Sequence, residues 1–118
     1  MSEVTIYHNP RCSNSRNALA VAEEHGVEAE VVRYLEQRPD RATLERLVSQ
    51  LEDPVEDLVR KDDRFKELHL DPADYVGRPD AVIDLLVEHP ELLQRPVLVK
   101  GDRAIIGRPK ERVVAFLA

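Results

Sequence analysis

Val4-Thr-Ile-Tyr-His-Asn-Pro-Arg-Cys12-Ser-Asn-Ser-Arg-Asn17 passes from a β-branched run through a turn into a polar helix start. Residues 3–7 read as a strand. Asn9-Pro10 makes the turn, and Ser13, Asn14 and Ser15 bring short polar side chains suited to a first helical turn. Cys12 stands at the junction, where unpaired backbone N–H groups and the positive end of the helix dipole gather. Those groups stabilise the thiolate, which is the nucleophilic form of cysteine. They also suit an oxyanion held beside the sulfur. An inert buried thiol is the plainer alternative, but polar and arginine-bearing surroundings argue against it.

Outward from this stretch, residues 13–25 read as a helix with Leu19 and Ala22 on its apolar face and Gly26 as its stop. Residues 30–34 read as a second strand. Strand, helix and strand at this spacing form a βαβ crossover with parallel strands. The pattern then changes. Leu44, Leu47, Val48 and Leu51 recur at i, i+3, i+4 and i+7, which predicts an amphipathic helix over 40–51. Short helical pieces follow at 54–59 and 64–69, then a longer helix at 79–88 that His89-Pro90 ends. Sheet returns at 96–100 and 103–106, joined by Gly101-Asp102 as a tight antiparallel hairpin. A last helix follows, with Pro109 in its first turn and Val113, Val114 and Leu117 facing inward. The expected fold class is α/β with a mixed four-stranded sheet: one domain, 1–118, with a βαβ part (1–37), a helical insert (38–93) and a ββα part (94–118).

Composition narrows the function classes. A chain of 118 residues with 42% apolar and 34% charged content is long enough for one core. No apolar run reaches membrane-spanning length, and no signal-peptide pattern opens the chain. A net charge of −6 disfavours bulk nucleic-acid binding. One cysteine can form no internal disulfide, which suits a reducing cytoplasm. His8, His25, His69 and His89 lack metal-ligand spacing, so no metal site is expected. Position 18 is alanine, where a phosphatase-type loop needs arginine, and position 15 is serine, where a redox pair needs a second cysteine. The acidic residues between Glu52 and Asp63 read as a solvated face.

Arginine carries most of the positive charge, thirteen residues against four lysines. Its planar fork suits bidentate oxyanion recognition. Four of the eight prolines follow an arginine, where chance placement gives about one. Arg38-Pro39 and Arg78-Pro79 precede helices and read as structural. Arg95-Pro96 opens a strand, in a first-residue or cis position, and Arg108 lies just past the last strand. Both arginines fall at a sheet end that the Cys12 loop can meet. Solvated surface arginines are the alternative. His8 either tunes the thiol or is a polar strand end.

Tyr7-His-Asn-Pro-Arg-Cys12-Ser-Asn-Ser-Arg16 resembles the active-site signature of the ArsC family, the glutaredoxin-coupled arsenate reductases. Tyr34-Leu35-Glu36, Leu58-Val-Arg60-Lys61, Tyr75 through His89-Pro90, Arg95-Pro96-Val97 and Gly107-Arg108-Pro109 follow the family in order and spacing. The resemblance therefore covers essentially the whole chain. It implies a thioredoxin-like fold with a helical insert. It implies Cys12 as nucleophile, and Arg60, Arg95 and Arg108 around the oxyanion. Pro96 matches the cis-proline of such folds, and His8 and Ser15 match supporting positions. No bound cofactor is implied; arsenate is the substrate, glutathione the co-substrate and glutaredoxin the protein partner. Ser13-Asn14 departs from the Gly-Thr typical of members with established arsenate activity. Together with an end at Ala118, this is closer to a shorter Pro-Arg-Cys-Ser branch. Two other classes stay open: a thiol protein that takes another oxyanion or forms glutathione adducts, and an Spx-like RNA-polymerase-binding regulator. Ser15 removes the paired cysteines that oxidation-switched Spx proteins usually carry.

Overall fold

A computed structural model describes residues 3–118. Its sheet is built from β1 (Val4–Tyr7), β2 (Ala29–Val32), β3 (Val97–Lys100) and β4 (Arg103–Ile106), in the spatial order β2-β1-β3-β4. β2 runs parallel to β1, whereas β3 pairs antiparallel with both β1 and β4. The expected mixed four-stranded sheet is therefore present. Tyr7 lies opposite both Val32 and Val97, and Val97 opposite Ile106. That register brings the C-terminal ends of β1, β2 and β4 and the N-terminal end of β3 to one edge.

Alternation along β1 explains the layers. Val4 and Ile6 pack with α1 (Ser13–Glu24) and α5 (Glu111–Leu117) through Ala18, Val21, Ala22, Val113, Phe116 and Leu117. Tyr7 faces the other way, into a core shared with the insert. There α2 (Arg41–Gln50), α3 (Asp63–Glu67) and α4 (Pro79–Glu88) cover the second face, with single 3₁₀ turns at Val55–Leu58, Pro72–Asp74 and Pro90–Leu92. Within the insert, extended pairing is limited to isolated bridges from Leu51 to Ala104 and from Val59 to Leu93. Leu51–Glu52 thereby ties the insert to β4, with Glu52 N–H donating to the Ala104 carbonyl at 2.9 Å.

Local chemistry sets the helix ends. At the end of α1, Val27 N–H reaches the Ala22 carbonyl and Gly26 N–H the Glu23 carbonyl. This is a Schellman cap that needs Gly26 at φ 64°. Asp40 caps α2 by accepting from Thr43 N–H, and Asp62 caps α3 by accepting from Phe65 N–H. Pro79 occupies the first turn of α4.

Three expectations change. β2 begins at Ala29 and stops at Val32, because β1 turns away after Tyr7 and leaves no partner further on; Arg33 and Tyr34 enter a turn instead. Val114 is 44% exposed, since Val113, Phe116 and Leu117 form the buried stripe of α5. Pro109 precedes the helix rather than opening it: α5 starts at Glu111, and the Arg108-Pro109 bond is cis.

Gly107 joins β4 to α5 where backbone and core meet. A Cβ there would lie 2.8 Å from both Leu98 Cδ1 and Pro96 Cγ, and 3.0 Å from Val113 Cγ2. Gly107→Ala is therefore expected to cost about 1–3 kcal/mol through overpacking. A lowered urea midpoint with an unchanged m-value would report it.

Candidate active site

The sheet edge gathers what the sequence scatters. The Cys12 loop leaves β1, Tyr34 follows β2, Arg95 precedes β3 and Arg108 follows β4. Arg60 joins from the insert, where its N–H donates to the Leu92 carbonyl at 2.8 Å and Gln94 N–H donates to the Leu58 carbonyl at 2.7 Å.

Cys12 occupies the N-cap of α1, with extended backbone at φ −96° and ψ 122°. Its own N–H donates to the Asn9 carbonyl at 3.0 Å, which closes the Asn9–Cys12 turn. Partial burial pushes the thiol pKa up. The Ser15 N–H, the Arg95 guanidinium, the Asn14 N–H and the charge of Arg108 together outweigh it and hold the thiol below its ordinary value. Nη2 of Arg108 lies 3.3 Å from Sγ, while its Nε donates to the Arg95 carbonyl at 2.7 Å. One arginine thus grips both the sulfur and the strand that carries the next arginine.

His8 and Ser15 sit beneath the loop, both buried. Burial lowers the His8 pKa, as do the charges of Arg33 and Arg16, which favours the neutral ring. Ser15 Oγ lies 2.6 Å from His8 Nδ1 and accepts from Asn9 N–H at 3.0 Å. The triangle fastens the end of β1 to the first turn of α1 and thereby aims the Ser15 N–H at the sulfur. Ser15→Ala leaves two buried polar groups unpaired. It is expected to lower unfolding free energy by about 2 kcal/mol, read from denaturant midpoints.

Arg60 is placed differently from the other arginines. It pairs with Asp62 at 3.2 Å and approaches Gln94 at 3.5 Å. It is not among the groups that shift the Cys12 thiol, so that electrostatic duty falls to Arg95 and Arg108. Arg95 and Arg108 have no carboxylate partner among the described residues. The Arg95-Pro96 peptide is cis. A cleft of about 290 Å³ flanks Arg108, bordered by Asp53, Asp57, Lys61, Gln94 and Arg112. A larger cavity, about 580 Å³, lies elsewhere, between α2 and the sheet, and does not include Cys12. No cluster of metal-ligating side chains occurs among the described residues.

Two residues at this edge do more than their sequence reading gave them, Asn9 as a turn former and Tyr34 as a strand residue. Asn9 is buried and fixes its own turn, with Oδ1 accepting from Arg11 N–H at 2.9 Å. Tyr34 is wholly buried beside Arg95. An aromatic hydroxyl two residues beyond a strand end was the available signal, but it reads equally well as strand.

A single nucleophile at a helix N-terminus, faced by two arginines without carboxylates, marks an oxyanion-handling thiol site. The model of the ArsC family matches residues 7–116. The chain belongs to the ArsC family. It is similar to an arsenate reductase of Neisseria meningitidis serogroup A, with 42% identity over 99% of this chain and 100% of that one. An uncharacterised protein, YfgD, of Escherichia coli K12 is 46% identical over 98% of this chain and 97% of its own. Among solved structures, the arsenate reductase from Vibrio cholerae superposes with a TM-score of 0.83 at 40% identity, covering 97% of each chain. The sheet order and these ArsC neighbours make the fold thioredoxin-like, as the sequence resemblance implied.

Proposed function

We propose that this ArsC family member is an arsenate reductase that works through Cys12, with glutathione and glutaredoxin as the source of electrons. The observation that carries the reading is Arg108 Nη2 at 3.3 Å from a thiol of depressed pKa, with Arg95 and Arg108 free of carboxylates. Names of relatives at about 42% identity over nearly the full length support the substrate. Cys12 thiolate attacks arsenic(V) and displaces one oxygen as water, forming a thiol–arsenate ester. Arg95 and Arg108 neutralise the arsenate and the charge that builds on its oxygens. Arg60, tied to Asp62, borders the site as the third arginine. The thiol of glutathione then attacks, and two sulfurs supply two electrons. Arsenic leaves as arsenite, and Cys12 remains in a mixed disulfide with glutathione. One cysteine cannot resolve this disulfide alone, so glutaredoxin takes the glutathione by thiol–disulfide exchange. A reducing cytoplasm supplies both partners. His8 and Ser15 support the loop, and Pro96 shapes the entry to β3.

The test is arsenate-dependent NADPH oxidation with glutathione, glutaredoxin and glutathione reductase present. Turnover that stops when either arsenate or glutaredoxin is omitted is the expected result. Turnover sustained by thioredoxin and thioredoxin reductase instead would replace the electron donor while keeping the thiol chemistry. No turnover with any donor would remove arsenate as substrate.

A further inference from the structure

Among the described residues, two buried side-chain polar atoms lack a hydrogen-bond partner: the hydroxyl of Tyr34 and Nε of Arg95. They belong to neighbours. Arg95 is the arginine that acts most strongly on the Tyr34 phenol, followed by Arg60, and the Asn9 carboxamide faces the same hydroxyl. Leaving such groups dry and unpaired costs free energy in a native structure, so the pair calls for a reason.

We infer that Tyr34 is a positioning residue for oxyanion capture: its hydroxyl receives Nε–H of Arg95 when the guanidinium turns onto a bound tetrahedral oxyanion. The inference rests on the oxyanion reading of the Cys12 site. Arg95 has no carboxylate partner among the described residues and meets only the thiol and the Tyr34 corner, whereas Arg60 is tied to Asp62 and Arg108 to a carbonyl as well as the sulfur. Burial raises the Tyr34 pKa against the pull of Arg95, Asn9 and Arg60, so the phenol keeps its proton and is both donor and acceptor. Its oxygen can take Nε–H, and its proton can go to Asn9 Oδ1, which already accepts from Arg11 N–H and has a second lone pair. All three polar groups are then satisfied, and the relay ends on the turn that carries Cys12. Without an oxyanion, two of them wait unpaired. Anion binding thus closes a buried network, and the gain appears as affinity.

The experiment measures protection of Cys12 from iodoacetamide by arsenate, each rate divided by the rate without arsenate so that changes in thiol ionisation cancel. Wild type, Tyr34→Phe, Arg95→Lys and the double variant are compared, with thermal melts of each. Tyr34→Phe is expected to raise the half-protecting arsenate concentration about five- to tenfold. Its Tm should equal or exceed wild type, because the substitution removes an unpaired hydroxyl. Lysine has no Nε–H fork, so adding Tyr34→Phe to Arg95→Lys should change protection by less than about twofold. Unchanged protection in Tyr34→Phe, or an equal increase in both backgrounds, would overturn the inference and leave the oxyanion reading intact. A lower Tm with unchanged protection overturns it as well, by assigning Tyr34 to packing alone. Wild type that no arsenate concentration protects would overturn the oxyanion reading itself, and this inference with it.

Discussion

Cys12→Ser should show no arsenate-dependent turnover in the coupled assay, a fall of at least about 10³-fold. A serine hydroxyl in the same place ionises far above the working pH, and neither two N–H groups nor two arginines bring it into range. It is also unable to enter a disulfide, so the two-electron step has no route even where an ester forms. The fold should be indifferent to the change. Cys12 is only partly buried, and a serine hydroxyl suits an N-cap facing the same Ser15 and Asn14 N–H groups. Thermal melts should therefore coincide apart from one pH-dependent difference. The folded thiol has the lower pKa, so the unfolded chain binds its proton more tightly. Ionisation stabilises wild type above the ordinary thiol pKa, and that contribution is lost as pH falls through the folded value. Serine lacks it. Residual turnover in Cys12→Ser would mean that the chemistry lies elsewhere.

Arg108→Ala carries the second large effect, a loss of about 10²-fold or more in kcat/KM. The side chain does three things at once, and alanine abolishes all of them. Its charge lowers the thiol pKa, its Nη2 meets Sγ at 3.3 Å, and its Nε holds the Arg95 carbonyl at 2.7 Å. The pH midpoint of iodoacetamide alkylation should accordingly move upward, towards the ordinary range of a free cysteine. KM for arsenate should rise as well, because Arg95 loses its anchor. Arg108→Lys should restore little. An ammonium is a point charge and cannot span a sulfur and a carbonyl with two differently aimed N–H groups. An alkylation profile identical to wild type would show that the 3.3 Å contact does not govern the thiol.

Much of this arrangement was legible in the chain. The helix periods, the Gly26 stop, the Gly101-Asp102 hairpin and the βαβ opening are local patterns, and local patterns survive tertiary context. The boundaries that moved did so for reasons beyond their own segment. β2 ends where β1 ends, a fact about the partner strand rather than about Arg33 or Tyr34. Val114 turned outward because Phe116, which a Val113/Val114/Leu117 face ignores, fills the core instead. Arg95 and Arg108 could be placed near Cys12 because both adjoin strand ends whose sheet edge the topology dictates. Arg60 could be assigned to the neighbourhood only by family resemblance, and no spacing rule foretells that Asp62 would occupy its charge. Tyr34 was invisible as a site residue for the plainest reason. Its importance depends on a hydroxyl that lacks a partner, and sequence carries no record of unmet hydrogen bonds.

The sheet edge around Cys12 also governs when the thiol becomes reactive. During synthesis Cys12 emerges early, with its loop and the start of α1, but Arg95 and Arg108 lie more than 80 residues downstream. Until β3 and β4 pair in register, the sulfur has only the helix start beside it. An unfinished copy therefore lacks both guanidinium groups that help to depress the folded thiol's pKa. Reactivity arrives with the last strand. The finished sheet and the full set of groups around the sulfur are completed together.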